Sequence, residues 1–544
     1  MNIAERLAGV AARIPENKAV VQGERSWTFR QLEDEVSLLA AGLRRAGLEP
    51  GARAALMVPP GFEFIALTFA LFRAGIVPVL IDPGMGRHHL GQCLAEAAPE
   101  AFIGIPKAQL ARAVERWAKD TIKLLVTVGP KWPWGGLSLD DLRKAVVRPD
   151  GDRVRDAMAV RNRDCSEGTD TAAILFTSGS TGVPKGAVYT HEIFTAQTEL
   201  LRSHFDIKEG ETSVPTFPLF ALFDVALGMT VVIPDMDSTR PGSVEPMSII
   251  GPVQKHGAAQ LFGSPALLDR VGRFGEKHGI SLPGLKRVIS AGAPVPASVL
   301  ARFAKMLPAG VRLHTPYGAT ESLPVSAISS DEMLRETAPQ SAQGKGTCVG
   351  RPFPGMRARI IAIDDGPVPR WSDDLLVPPG QVGEIVVQGP VVTREYFRRP
   401  EATALAKIED EGGAFWHRMG DLGFFDEQGR LWFCGRKSHR VQAAEGTMFT
   451  IPCEAVFNEH PKVRRTALVG IGQPGAQTPV LCVELERGEL PGEAIEDELL
   501  EVAASYKHTK AIKSVLFHSS FPVDIRHNAK IFREKLAVWA ETQL

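Results

Sequence analysis

Ala172-Ala173-Ile174-Leu175-Phe176-Thr177-Ser178-Gly179-Ser180-Thr181-Gly182-Val183-Pro184-Lys185-Gly186 runs an apolar stretch straight into a turn of glycines and hydroxyls that closes on a lysine. The apolar part reads as a strand buried on both faces, as in a parallel sheet covered by helices. In the turn, glycine lets backbone approach a ligand closely and present successive N–H groups, which suits phosphate oxygens. The hydroxyls add donors, and Lys185 adds a mobile positive charge. A polar surface turn is the competing reading, but ten such residues directly after a buried strand favour phosphate. Gly186 follows Lys185 where a Walker loop requires Ser or Thr, so a Ras- or motor-type NTPase is disfavoured. The nucleophile elbow G-x-S-x-G is not matched either.

The same strand–helix rhythm extends outward from this segment. Ile3, Leu7, Val10, Ala11 and Ile14 recur at helical steps, and a second helix is expected over 32–46. Strands are expected over 54–58, 76–81, 101–105, 123–128 and 383–387, with a helix over 62–75. This alternation predicts an α/β fold of layered, mostly parallel sheets with covering helices. Residues 148–169 read as a surface connection and 329–350 as a loop region. Beyond Cys434 short strands (467–469, 480–484) and one polar helix (493–503) suggest a small α+β unit.

Composition removes several classes. The chain has 544 residues, 44% hydrophobic and 23% charged, which is ordinary for a globular protein. Lys plus Arg number 62 and Asp plus Glu 63, so no global field attracts a nucleic acid. The most apolar run, 64–72, is nine residues long, against roughly 20 for a membrane span. The charged N-terminal residues do not suit a signal peptide, so a cytoplasmic protein is expected. Six scattered cysteines and no H-E-x-x-H suggest a reduced protein without structural zinc.

Five more segments follow in order: Ser290-Ala291-Gly292-Ala293-Pro294, Tyr317-Gly318-Ala319-Thr320-Glu321, Gly420-Asp421-Leu422-Gly423, Gly435-Arg436-Lys437 and Asn528-Ala529-Lys530. With the 177–186 loop they span nearly the whole chain, and in this order and spacing the sequence resembles the adenylate-forming enzymes. That superfamily contains acyl-CoA synthetases, nonribosomal-peptide adenylation domains and luciferases. The resemblance implies an AMP-forming ligase that uses ATP and Mg²⁺. It also implies a large N-terminal adenylation domain (1–435) and a small, mobile α+β C-terminal lid domain (436–544) carrying a catalytic lysine.

Roles follow from the resemblance residue by residue. Thr177, Ser178, Gly179, Ser180, Thr181, Gly182 and Lys185 would cradle phosphates. Gly292, Ala293, Pro294, Tyr317, Gly318 and Ala319 would form the adenine slot, and Thr320 would donate to the α-phosphate. Glu321, with Thr177, would hold Mg²⁺, a hard cation that prefers carboxylate and phosphate oxygens. Asp421 would accept from the ribose hydroxyls, and Arg436 would contact the same nucleotide. Lys437 would be the hinge, and Lys530, with Thr320 and Glu321, would be catalytic. Taken singly, Tyr317 also reads as a core tyrosine, Glu321 as a solvated glutamate, Asp421 as a turn former and Lys437 as a linker lysine.

Three departures concern the acceptor half of the reaction. Ala221 stands where acyl-CoA synthetases of the superfamily read Pro-Leu-Phe-His. Gly446 lies one residue farther than usual from the Pro452-Cys453-Glu454 turn. The segment 521–530 is two residues longer than usual, with Ala529 in place of glycine. In 216–237, 420–436 and 521–540 the chain closely resembles the β-lactone synthetases of bacterial olefin biosynthesis. That implies a long-chain 2-alkyl-3-hydroxyalkanoic acid whose own 3-hydroxyl attacks the acyl-adenylate and closes a β-lactone. A substrate pocket of Phe220, Ala221, Phe223, Asp224 and Gly263 is expected, and the apolar clusters 217–223 and 261–262 read either as an acyl tunnel or as core. Asp224 and His527 are candidates, by location, to take the hydroxyl proton, as is the AMP phosphate itself. The resemblance further implies a neighbouring β-lactone decarboxylase and a thiolase-like condensing enzyme, possible members of one assembly. The rival readings are a fatty acyl-CoA or acyl-carrier-protein ligase and a non-catalytic nucleotide-binding protein.

Overall fold

Two sheets, each running parallel where its helical crossovers lie, frame the site. The computed structural model describes residues 1–130, 134–146, 167–177, 184–523 and 531–544. In the seven-stranded sheet the strands lie in the order Leu137–Ser138, Leu124–Thr127, Ala101–Gly104, Arg53–Met57, Val77–Ile81, Thr171–Thr177, Lys185–Thr190. All its pairings are parallel except the last, which turns back through the phosphate-loop segment. Every residue of the helix Phe62–Arg73 except Glu63 is buried, which explains why its apolar run looks almost membrane-like.

The larger sheet is less parallel than the sequence suggested. Lys18–Gln22, Thr230–Ile233, Thr212–Pro215, Gln260–Phe262, Arg287–Ile289 and Arg312–Ala319 form a parallel half. It continues as an antiparallel half through Ser322–Ser329, Thr347–Pro352, Leu431–Arg436, Phe415–Phe425, Gly383–Gln388 and Arg357–Ile361. The region expected as a loop over 329–350 instead holds short helices, including Met333–Thr337, and the strand Thr347–Pro352. Its apolar side chains Met333 and Cys348 are buried in the adjacent core. The expected surface connection over 148–169 lies mostly outside the described residues.

Past Arg436, a hairpin of Val441–Ala443 and Gly446–Met448 leads to a three-stranded sheet of Val463–Ile471, Thr478–Leu485 and Ser514–Phe517. Helices Thr450–Asn458, Glu493–Ser505 and Arg533–Glu541 cover it, and it has its own cores around Phe457 and Leu536. The five described cysteines are free and buried. Among the described residues no helix is long and apolar enough to cross a membrane.

Candidate active site

A cavity of about 2120 Å³ opens between the C-terminal ends of the parallel strands of both sheets. That is where ligands bind in open α/β sheets, because the crossovers leave a crevice there. Lys185, Gly292, Ala293, Pro294, Tyr317, Gly318, Ala319, Thr320, Glu321, Asp421, Arg436 and Lys437, far apart in sequence, all line it. Thr177 and Lys185 are paired across the last two strands of the seven-stranded sheet, so both ends of the phosphate-loop segment are fixed by a ladder. Ser178, Gly179, Ser180, Thr181 and Gly182 lie outside the described residues.

The adenine-slot segment is shaped by a bulge. The pairing of Arg312–Ala319 with Ser322–Ser329 shifts register between Tyr317 and Ala319, re-aiming the intervening residues. A Cβ on Gly318 would lie 2.5 Å from the Ser322 carbonyl oxygen, so only glycine allows the two strands to close this tightly. Tyr317 Oη donates to Asp421 Oδ2 at 2.6 Å, and Arg436 Nη1 approaches Asp421 Oδ1 at 2.8 Å. Burial pushes the Asp421 carboxyl up, while the Arg436 guanidinium and the tyrosine hydroxyl pull it down. Asp421 in turn raises the Arg436 pKa, and burial together with the Asp421 charge drives the Tyr317 hydroxyl upward. Both Asp421 carboxylate oxygens are thus engaged, Oδ2 by the Tyr317 hydroxyl and the buried Oδ1 by the Arg436 guanidinium.

Glu321 is positioned by residues that no motif announced. Tyr396 Oη donates to Glu321 Oε1 at 2.7 Å, and the Thr393 backbone N–H donates to the Glu321 carbonyl at 2.9 Å. The Tyr189 hydroxyl donates to the Thr320 carbonyl. Lys185 Nζ sits 5.2 Å from the centre of the Tyr396 ring, a cation–π contact that holds the lysine beside Glu321. Lys407, donating to the Thr393 carbonyl, is lowered to about 7 by burial. For Mg²⁺ the donor set fits a phosphate-bound ion: one carboxylate, Glu321, with an oxygen not engaged by Tyr396. Among the described residues no cluster of three acidic, His or Cys ligands could hold a metal without such phosphates.

One signal for the missed tyrosines is present in the sequence. The chain has 26 Phe but 4 Tyr, and three of those four place a hydroxyl at this site. A core that takes phenylalanine almost throughout keeps tyrosine where the oxygen has a partner.

The expected acyl wall divides in two. Phe217 and Phe220 line the cavity together with Phe262, and Phe220 stacks on Phe262 with ring centres 3.7 Å apart. The other expected wall residues do not reach it, because the helix Pro218–Ala226 meets the cavity through its first turn only. Phe223 packs into the surrounding cores, and Ala221 borders a smaller adjoining cavity of about 440 Å³. The Gly263 α-carbon faces Leu267 and Leu268. Asp224 is turned away as well, 2% exposed, accepting from Ser213 Oγ at 2.7 Å and Gln260 Nε2 at 2.9 Å. It is therefore not placed to take a substrate proton, and its role is to close a buried polar network. His527, the other candidate base, lies outside the described residues.

Burial raises the Asp224 carboxyl to about 7. Between its ordinary 3.8 and about 7 the unfolded chain releases a proton that the folded chain keeps, so this group's contribution to stability falls as pH rises through that window. Asp224→Asn removes the titration while keeping an acceptor for Gln260. In denaturant unfolding, the stability of the variant relative to the parent is expected to increase from pH 5 to pH 8. A difference that stays flat over that range contradicts this account of Asp224.

Lys437, expected at the hinge, is tied down: Nζ lies 3.1 Å from Glu384 Oε2 and donates to the Asp364 carbonyl at 2.7 Å. Glu384 also pairs with Arg418 at 2.6 Å, both of them buried. Lys530 lies outside the described residues. Its neighbour Ile531 lines the cavity and forms an isolated bridge with Val523, and Arg533 pairs with the buried Glu454 at 2.6 Å.

Comparisons with known proteins agree with this arrangement. The sequence profile described as AMP-binding enzyme matches residues 7–397. The chain is 50% identical over 548 residues to the olefin beta-lactone synthetase of Stenotrophomonas maltophilia, covering 99% of this chain and 96% of that one. It is 50% identical over 522 residues to the protein of the same name from Xanthomonas campestris pv. campestris, covering 95% and 91%. Among solved structures, the amide bond synthetase of Marinactinospora thermotolerans superposes with a TM-score of 0.81 at 25% identity, over 99% of both chains. With a profile match over most of its length and a nucleotide-type cavity built from the matching segments, the chain belongs to the family of AMP-binding, adenylate-forming enzymes.

Proposed function

We propose that this protein is an ATP-dependent β-lactone synthetase acting on a long-chain 2-alkyl-3-hydroxyalkanoic acid. The carboxylate attacks the α-phosphate of ATP, pyrophosphate leaves, and an acyl-adenylate forms. The substrate's 3-hydroxyl oxygen then bonds to C1, AMP leaves with the bonding electron pair, and a four-membered lactone closes. In this reading the hydroxyl proton leaves on the departing AMP phosphate; Asp224, facing away from the cavity, does not take it. Nucleophile and electrophile belong to one molecule, so holding it in a reactive conformation supplies much of the acceleration.

One observation carries this reading. The cavity that gathers the nucleotide-type residues is continuous with large apolar walls, in a chain 50% identical to olefin beta-lactone synthetases. In this reading Asp421 accepts from the ribose, Tyr317 and Gly292 flank adenine, Thr320 donates to the α-phosphate, and Lys185 with the loop 177–182 neutralises the outgoing phosphates. Glu321 with Thr177 would hold Mg²⁺, which when bound supplies charge neutralisation on the phosphate oxygens. Residues 436–544 would act as a lid that brings Lys530 to the reacting atoms. A cytoplasmic location and assembly with a β-lactone decarboxylase and a thiolase-like condensing enzyme belong to the same proposal.

Incubation with ATP, Mg²⁺ and a 2-alkyl-3-hydroxy acid in the absence of CoA is expected to yield AMP, pyrophosphate and the lactone, followed by mass spectrometry. Strict dependence on CoA with accumulation of a thioester would instead identify an acyl-CoA ligase. ADP and inorganic phosphate as products would remove the adenylate altogether.

A further inference from the structure

We infer that the lobe of the cavity walled by the helix Pro106–Glu115 is a second alkyl-chain subsite, so that a doubly alkylated acid lies across the nucleotide site with one chain on each sheet. The inference rests on the substrate class proposed above. At about 2120 Å³ the cavity exceeds twice the upper end of the roughly 300–1,000 Å³ usual for ligand pockets. Its apolar lining comes from two separate places. The Phe217, Phe220 and Phe262 wall stands on the larger sheet, while Met57, Leu90, Leu110, Val114 and Trp117 stand on and around the seven-stranded sheet.

The helix itself is built for a surface other than the protein core. Its buried residue is Gln109, whose side-chain amide donates to the Val126 carbonyl at 3.0 Å and anchors the helix through a polar contact. Leu110 and Val114, one turn apart, are 54% and 67% exposed and belong to no core cluster among the described residues. Of the nine exposed large hydrophobic side chains described, three, Leu110, Val114 and Leu405, line this one cavity. Exposed apolar side chains gathered on a ligand-sized hollow mark a surface that an apolar ligand covers. The substituents on C2 and C3 of the acid diverge from adjacent carbons, so with the carboxyl fixed at the nucleotide they need two separate channels. A saturated chain matches the apolar Leu110–Val114 face, where the charged lining residue Glu115 is already paired with Arg87 at 3.4 Å.

Two substrate analogues test this, one brominated at the end of the C2 chain and one at the end of the C3 chain. One of them, and not the other, is expected to quench the fluorescence of Trp117, a loss of signal that disappears in Trp117→Phe. In the double variant Leu110→Asp/Val114→Asp, both at exposed positions, the KM of the acid with two long chains is expected to rise at least about tenfold relative to the acid whose lobe-directed chain is cut to methyl. No quenching by either analogue, or an unchanged KM ratio, overturns the subsite. So does a double variant whose sole defect is weaker binding to phosphatidylcholine vesicles. If the parent enzyme forms no lactone from any such acid, the functional reading falls, while the quenching experiment still decides the lobe.

Discussion

Lys530→Ala is expected to keep the fold and to lower ATP–pyrophosphate exchange by at least about a hundredfold. The adenylation step brings a carboxylate against a phosphate, two anions whose repulsion is part of the barrier. A cation placed in advance relieves it and stabilises the charge that builds on the α-phosphate and the leaving pyrophosphate. Removing one such preorganised group typically costs about 3–4 kcal/mol, or 10²–10³ in rate. The surroundings suit a delivered lysine: Ile531 lines the cavity, Val523 bridges to Ile531, and Arg533 is clamped bidentately on Glu454. Circular dichroism and thermal unfolding are expected to match the parent. Near-normal exchange would remove Lys530 from the mechanism.

Asp421→Asn is expected to raise the KM for ATP by at least about thirtyfold. The variant keeps an acceptor for the Tyr317 hydroxyl but withdraws the charge that compensates Arg436 and the strong acceptor proposed for the ribose. Truncating one member of a fully desolvated charge pair costs about 2–5 kcal/mol, and partial exposure of Arg436 places this pair at the lower end. The Arg436 side chain is 34% exposed toward the cavity, so water can hydrate it in the variant and the chain should still fold. The loss then appears in nucleotide affinity, measured as the KM of the exchange reaction, rather than in expression or melting temperature. An unchanged KM would leave Asp421 as a packing element beneath Tyr317.

Residues carrying their own chemistry were readable where they sit in a compact motif. Tyr317 through Glu321, Gly420-Asp421 and Gly435-Arg436 each announce themselves by glycine next to a functional side chain, and all line one cavity. The second layer was not readable. Tyr396 reaches Glu321 across 75 residues of sequence and Tyr189 reaches Thr320 across 131, each as a single side chain with no local pattern. Asp224 shows the opposite error. Its place beside the Pro-Leu-Phe segment suggested a wall residue, but the direction of the helix axis carries it into the Ser213–Gln260 network.

The sequence by itself determined the strand–loop–helix order, the nucleotide-type segments and the balance of charge, because hydrophobic period and turn chemistry are local properties of the chain. Tertiary structure alone decided that the larger sheet turns antiparallel, that the segment 329–350 is ordered into helices and a strand, and that two apolar walls share one cavity. Those outcomes depend on which faces meet across long sequence separations. Packing between elements sets that, and no stretch of neighbouring residues encodes it.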